Sequence, residues 1–361
     1  MGQQTENLDW NKVKEMAEHV FGFLGGAMIA GTIYLGDRLG LYRGLDEAGE
    51  PVSSAELAQR TGLHERWVRE WLEGQATSGL VTYAGAGRYR LSPEAATVLA
   101  REDSPAFSAG GFHGLPQQIG VLEKLLDSFK TGLGLPYDAF GPEGARGIER
   151  MMAPWFRYQL VGGLLPVLDG VVAKLEAGAK VADVGCGAGV ALLTMARSFP
   201  RSQFYGYEIS EHALGRAHQN RNDAGLSNVH FCDAAMQPLP CDGSFDLITT
   251  FDCMHDMAHP NRAIAAIRKS LNGDGTWLIA DIKSKPTFEE NLADNPMAPM
   301  MYGFSVLCCM SSALSEPGGA GLGTLGFTEP VARKMTAAAG FTRFKRHDYD
   351  NPFNAYYEVR P

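Results

Sequence analysis

One run, Val181-Ala182-Asp183-Val184-Gly185-Cys186-Gly187-Ala188-Gly189, constrains the fold of this chain more than any other stretch. An apolar segment passes straight into glycines at three alternate positions, and a helical pattern starts near Val190. Without a Cβ the backbone can turn sharply and come close to a ligand, and the helix that follows offers unpaired N–H groups. Around this turn, strand-like runs at 180–184, 203–207, 228–232, 245–250 and 276–281 alternate with helical ones. Such alternation specifies a mostly parallel sheet with helices on both faces. Two further runs, 343–347 and 355–359, lie close together and read as an antiparallel pair closing the sheet. The expected class is α/β, with seven strands and the last antiparallel.

The glycine spacing is Gly-x-Gly-x-Gly, whereas a dinucleotide fingerprint needs its third glycine one place later, where Val190 stands. Asp183 sits two residues before the first glycine. A carboxylate there repels a pyrophosphate and suits a ligand carrying an ammonium and a sulfonium. Glu208, past the next strand, can accept hydrogen bonds from both hydroxyls of a ribose, and Asp233-Ala234, past the third, can meet the exocyclic amine of adenine. Three acids thus end three neighbouring strands, on the edge where open α/β sheets bind ligands.

In these residues the chain resembles the class I S-adenosylmethionine-dependent methyltransferases, whose sheet is Rossmann-like. The run 183–189 looks like their first motif, Glu208 like their ribose-binding acid and Asp233-Ala234 like their adenine-binding pair. The resemblance implies S-adenosylmethionine as cofactor, held by Asp183, Gly185, Cys186, Gly187, Gly189, Glu208, Ile209, Asp233, Ala234, Phe251 and Asp252, with Tyr158 from the preceding helix. Phe251-Asp252-Cys253-Met254-His255-Asp256 resembles the segment that carries a catalytic His, which makes His255 the expected general base. Asp281 falls where plant members have a Glu that steadies the base, and Phe251 falls where many of them have a Lys. A neutral imidazole suits removal of a proton from a phenol-like hydroxyl during transfer.

The front half resembles the winged-helix dimerisation domain of small-molecule O-methyltransferases from plants and bacteria. Asp37-Arg38-Leu39-Gly40-Leu41-Tyr42, Ala55-Glu56-Leu57-Ala58 and Tyr89-Arg90-Leu91-Ser92 carry that likeness. The residues agree. Helical apolar pattern runs over 14–45, and Ser53 with Glu56 forms a capping box opening a short helix. A second helix over 64–78 carries Trp67, Val68, Trp71, Leu72 and Ala76 on one stripe, with both Trp expected to be buried. A hairpin follows across Ala84-Gly85-Ala86-Gly87. The expected organisation is a loose terminus over 1–13, a winged-helix dimerisation domain over 14–100, a helical connector and possible lid over 101–165, and the cofactor domain over 166–361. A helix is expected over 153–175. Trp155, Met301 and Tyr302 are expected to line a pocket for an apolar or aromatic acceptor, since aromatic and Met-rich surfaces adapt to such ligands.

Composition bounds the rest. With 361 residues, 45% hydrophobic and 20% charged, the chain has the length for two domains and an ordinary globular mixture. A formal net charge of −9 disfavours a nucleic-acid partner. Six cysteines show no spacing suited to zinc, so no metal is expected, the thiols read as reduced and cytoplasmic, and Cys308-Cys309 reads as packing. The uncharged, Gly-rich segment 20–36 is at the lower limit for a membrane span, and a buried helix or one packed on a second subunit fits it better. Two rival functions remain. One is a cofactor-sensing transcription regulator, disfavoured because Glu65, Glu70 and Glu73 counter Arg66 and Arg69 on the second helix. The other is a nicotinamide dehydrogenase, disfavoured by the glycine spacing.

Overall fold

A computed structural model describes residues 8–361, which divide into two compact units meeting in sequence at Leu115 and Pro116. That division falls inside the expected connector of 101–165. The expected loose terminus lies outside the described residues up to residue 7; from Trp10 the chain is already helical, with the Asp9 carboxylate accepting from the N–H groups of Asn11 and Lys12.

The first unit begins with α1 (Trp10–Arg38) and α2 (Leu41–Ala48). The helical pattern expected over 14–45 is thus carried by two helices, because Gly40 takes a left-handed conformation at φ 71° and breaks the ladder. A two-residue strand β1 (Val52–Ser53), α3 (Ser54–Thr61), α4 (Glu65–Thr77) and the strands β2 (Thr82–Gly85) and β3 (Arg88–Arg90) complete the winged-helix outline. The capping box forms, with Glu56 N–H donating to Ser53 Oγ at 3.3 Å and Ser53 N–H to Glu56 Oε2 at 2.6 Å. Leu41, Tyr42, Leu45, Leu57, Val68 and Leu72 make the core. Trp71 packs here too, since a Cβ on Gly36 would lie 2.4 Å from its ring. Trp67 corrects the expected stripe: it points to solvent and is 79% exposed. Along α1 an 18-residue window has mean hydropathy 1.4 and is 11% buried, so by length and composition this helix could cross a membrane.

In the second unit β4 (Lys180–Val184), β5 (Gln203–Glu208), β6 (Val229–Asp233), β7 (Phe245–Phe251), β8 (Leu271–Ile282), β9 (Arg343–His347) and β10 (Asn354–Arg360) form one sheet in the order β6-β5-β4-β7-β8-β10-β9. The first five run parallel, and β10 is antiparallel to both neighbours, as the sequence predicts. Apolar side chains leave both faces. Val181, Phe204, Leu247 and Leu278 pack against helices on one side; Ala182, Ile248, Trp277 and Ile279 pack on the other. The order reverses direction at β4, which places the glycine turn at the point where such sheets open a crevice.

The expected helix over 153–175 is also corrected. An α-helix Gly141–Trp155 widens into a π-helical stretch Phe156–Leu164, and the chain breaks before resuming as helix Val171–Ala177. Pro154 has no N–H to donate, which disturbs the ladder just ahead of the widening.

Candidate functional site

At the end of β4 the chain turns through Gly185, Gly187 and Gly189 at φ 73°, 53° and 76°, all in the left-handed region. A Cβ at Gly185 would meet Cys253 Sγ at 2.8 Å, and one at Gly189 would meet the Phe231 ring at 2.3 Å. Space as well as conformation therefore demands glycine there. The N–H groups of Gly185 and Cys186 both donate to the Tyr207 carbonyl, tying the turn to β5. Cys186 is a buried thiol under this turn, and burial raises its pKa.

Glu208 closes β5. Its Oε2 accepts from Gly187 N–H at 2.8 Å, and its Oε1 accepts from Ile209 and Ser210 N–H at 2.8 and 2.9 Å. One side chain thus holds the glycine turn and begins the next helix. Burial pushes its pKa up, while these three N–H groups pull it down. Ile209 beside it is 71% exposed, an uncovered apolar flank. Asp233 closes β6 and accepts from Ala235 N–H at 2.9 Å, and Ala234 N–H donates to the Glu208 carbonyl at 2.9 Å. Asp183 is fully buried and accepts from the Thr249 hydroxyl at 2.7 Å. Burial pushes its carboxyl up to about 7, the Thr249 bond opposes this, and Glu208 adds to it.

The end of β7 holds the second group. Phe251 is buried, its ring edge-on to Phe156 with centroids 5.0 Å apart. Asp252 adopts φ 49° and accepts from Asn354 Nδ2 on β10, while burial and the nearby Asp281 push it up to about 7. His255 is buried, with Nδ1 2.6 Å from Asp281 Oδ1. Asp281 Oδ1 also accepts from Ile282 N–H at 2.8 Å, so the carboxylate is fixed from its own strand. Burial works to lower the imidazole's pKa, but Asp281 outweighs it and holds the ring well above its ordinary 6.5. Cys309 and Asp256 lie beside the ring: an imidazole nitrogen, an Asp256 carboxylate oxygen and the Cys309 sulfur fall within 4.8 Å of one another. Cys309 also packs, with buried Cys308, against Val121, Leu125 and Phe140, as its reading as packing expects.

The expected acceptor residues lie in two places. Trp155 stacks on Tyr356 at 5.8 Å and reaches the Phe251 ring at 6.4 Å. Met301 packs with Ala298, Leu325 and Ile282, and half-exposed Tyr302 meets Phe288 at 6.2 Å. Tyr158 lies half-exposed on the π-helical stretch.

Sequence reasoning missed Tyr137 and Asp138. Asp138 accepts from the Ser210 hydroxyl and from Glu211 N–H at 3.1 Å, directly beyond Glu208. Tyr137 is half-buried, and burial holds its hydroxyl well above its ordinary 10, with Cys308, Asp256 and Glu208 adding to the rise. Both sit in a Gly- and Pro-rich stretch with no periodicity to mark them.

Comparison with known proteins agrees with this geometry. Residues 175–316 match the family described as "Methyltransferase domain", and residues 27–101 match the "Rv2258c-like winged HTH domain". A tRNA (guanine-N(7)-)-methyltransferase from Yersinia pseudotuberculosis serotype I (strain IP32953) is 30% identical over 139 residues, 37% of this chain and 52% of that protein. The chain thus spans about half the length of the curated relatives it matches. A candidate O-methyltransferase from Nostoc punctiforme PCC 73102 superposes with TM-score 0.72 at 18% identity, covering 95% of this chain and 98% of that one. Human N-acetylserotonin methyltransferase, solved with S-adenosylmethionine, superposes with TM-score 0.67 at 16% identity over 100% and 99%. The chain carries a methyltransferase domain on a Rossmann-like sheet, following an Rv2258c-like winged-helix domain in sequence.

Proposed function

We propose that this protein transfers the methyl group of S-adenosylmethionine to the hydroxyl of a small apolar or aromatic acceptor, with His255 taking the acceptor's proton. The observation carrying this reading is the buried His255–Asp281 pair, at the ends of β7 and β8, on the same sheet edge as Asp183 and Glu208. Asp183 faces the cofactor's cationic end and Glu208 its ribose, with the glycine turn passing between. The transfer is a displacement: the acceptor oxygen bonds to the methyl carbon, the carbon–sulfur bond breaks, and its electron pair neutralises the sulfonium. Alignment and proton removal are what the protein must supply. Asp281 raises the basicity of His255, and an incoming sulfonium nearby works against a charged imidazole, favouring the neutral form that can take a proton. Phe251, Trp155 and Tyr158 give the donor and acceptor an aromatic boundary, and Met301 and Tyr302 extend it. Residues 101–165 serve as connector and lid.

The winged-helix domain over 14–100 serves a homodimer in the cytoplasm. On α1, Phe21, Leu24 and Met28 are each more than half exposed, and a Cβ on Gly22, Gly25 or Gly26 would meet nothing within 4 Å. That apolar face suits a second copy of the chain. Binding to DNA fits worse, because Arg66 and Arg69 of α4 pair with Glu70 and Glu65 at 2.5 and 2.9 Å, leaving little charge for phosphates. A screen of phenols, carboxylic acids and amines, read by release of S-adenosylhomocysteine, tests the activity. No turnover with any of them, together with DNA binding that responds to S-adenosylmethionine, would favour a ligand-sensing regulator.

A further inference from the structure

One short segment ties the two sides of the site together. Gly134 N–H donates to the Leu314 carbonyl at 2.9 Å and Leu135 N–H to Ser311 Oγ at 2.8 Å, next to the turn that carries Cys309. Further along, Asp138 accepts from the buried Ser210 hydroxyl and from Glu211 N–H at 3.1 Å, just beyond Glu208. These anchors stand on opposite sides of β4. Ser210 follows β5 on one side of it, and Cys309 lies beside His255, which follows β7 on the other. The segment between the anchors therefore crosses the end of β4, where the glycine turn lies. The Tyr137 hydroxyl answers to both sides, since Glu208 and Asp256 each add to its rise.

Within itself the segment is stiff. Pro136 holds φ at −64°, and Tyr137–Phe140 close a tight 3-10 turn. Leu135 and Tyr137 pack with Phe140, Val121, Leu125 and Cys308. A side chain on Gly134 would collide with the Ser311 carbonyl. The flanks differ. Gly132 and Gly141 bracket the segment at φ 76° and 65°, and a Cβ on either would meet nothing within 4 Å. Backbone freedom rather than space calls for glycine at both places, which is what a hinge pair needs: two residues absorb the dihedral change while the piece between them moves whole.

We propose that residues 134–140 are a gate across the crevice, hinged at Gly132 and Gly141 and latched by Asp138, which opens to let the cofactor in and out. Asp138 is only half-buried, so water replaces it on Ser210 and Glu211 as the gate lifts and hydrates the freed carboxylate; opening exchanges hydrogen bonds rather than losing them. The helix Glu211–Ala224 stays formed meanwhile, because Ser210 Oγ keeps Ala213 N–H at 3.2 Å and Glu149 keeps Arg216 at 2.9 Å. That the passing ligand is S-adenosylmethionine rests on the proposed function; the movement does not.

Stopped-flow mixing with S-adenosylhomocysteine is the test, read by tryptophan fluorescence with Trp155 beside Phe251. A gate shut in free and bound protein alike limits entry and exit equally. Asp138→Ala should therefore raise both rates about ten- to a hundredfold, the worth of hydrogen bonds to a charged acceptor, and leave affinity by calorimetry within about twofold. Asp138→Asn keeps an acceptor for Ser210 and should raise both rates less. Asp127→Ala, at an exposed acid on the preceding helix Leu122–Thr131, should change neither. Amide hydrogen exchange gives a second reading that needs no ligand: without the latch, the Gly134 and Leu135 N–H groups at the far anchor should exchange faster, because the segment lifts whole. Should Asp138→Ala fail to fold, Asp138→Asn carries both measurements. Faster exit with entry unchanged and affinity lost in proportion would make Asp138 a support for Glu208 and overturn the gate. Unchanged rates, or faster exchange confined to the Asp138 end, would overturn it too. Coupled exchange in a protein that does not bind S-adenosylhomocysteine would keep the gate and remove the cofactor reading.

Discussion

Asp183→Asn exchanges a buried carboxyl for a neutral amide of the same shape, and it leaves the Thr249 hydroxyl an acceptor that lies 2.7 Å away in the wild type. Burial first, then Glu208, moves the wild-type carboxyl from 3.8 up to about 7 against the pull of Thr249. Its folded-state pKa lies above the unfolded one, so the folded chain binds the proton more tightly. The stability this contributes is complete below 3.8 and is lost as the pH climbs to about 7. At about 1.4 kcal/mol for each pH unit the whole window is worth roughly 4 kcal/mol, and about 3 kcal/mol of it falls between pH 5 and pH 7. Asn pays no such cost at any pH. Urea unfolding of the cofactor-free proteins at pH 5 and pH 8 should therefore show Asp183→Asn gaining about 3 kcal/mol on the wild type between the two. Cofactor binding runs the other way. S-adenosylmethionine favours the carboxylate, so wild-type binding expels the proton and tightens by up to about tenfold per pH unit between pH 5 and pH 7. In Asp183→Asn that slope should vanish. A pH-independent gap in unfolding and an unchanged slope in binding would mean Asp183 is already ionised in the free protein, and the electrostatic account of this turn would be wrong.

Four other outcomes are expected. Glu208→Ala should weaken S-adenosylhomocysteine binding by about 1.5–3 kcal/mol, or about ten- to a hundredfold by calorimetry, because a charged acceptor is lost; unchanged affinity would remove Glu208 from the cofactor site. Gly189→Ala combines φ 76° with a Cβ 2.3 Å from Phe231 and should lower stability by about 3 kcal/mol or more, measured as a drop in Tm. His255→Gln should cut turnover on the order of 10²–10⁴-fold while sparing cofactor affinity, and Asp281→Asn should cut it less; full turnover by His255→Gln would make the residue structural. Phe21→Glu with Leu24→Glu should convert a dimer to a monomer in light scattering; a wild-type monomer, or one that partitions onto lipid vesicles, would refute a dimer role for α1.

Legibility in the sequence followed how directly a residue's neighbours in space are also its neighbours along the chain. The parallel strands were readable because both of their faces are covered, so each becomes a short, nearly unbroken apolar run. The glycine turn was readable because a left-handed backbone permits few residues, and three of them stand at alternate positions. Strand ends then located Asp183, Glu208 and Asp233 without any knowledge of contacts. Helix boundaries were less legible. Gly40 divides the helical pattern over 14–45, yet Gly22, Gly25, Gly26 and Gly31 lie inside α1 without breaking it. Local propensity cannot tell those glycines apart; the burial of Leu41, Tyr42 and Leu45 on a separate α2 can.

The residues that escaped notice share one physical property: their roles come from contacts far away in sequence. Asp138 matters because Ser210 and Glu211 reach it across 72 and 73 positions. Asn354 matters because β10 inserts between β8 and β9, which brings its amide to Asp252 from 102 positions away. The nearness of Cys309 to His255 escaped for the same reason, since the two belong to segments far apart along the chain. Trp67 fails in the opposite direction. Its spacing belongs to the buried stripe of α4, but of that stripe Val68, Trp71, Leu72 and Ala76 meet the core and Trp67 does not. A periodic pattern therefore fixes which side of a helix is apolar and leaves open how wide a sector the fold covers. Strand-end acids escape that ambiguity, because the end of a parallel strand has one crevice to face, and this is why the proposed cofactor residues were easier to place in the fold than the proposed acceptor residues.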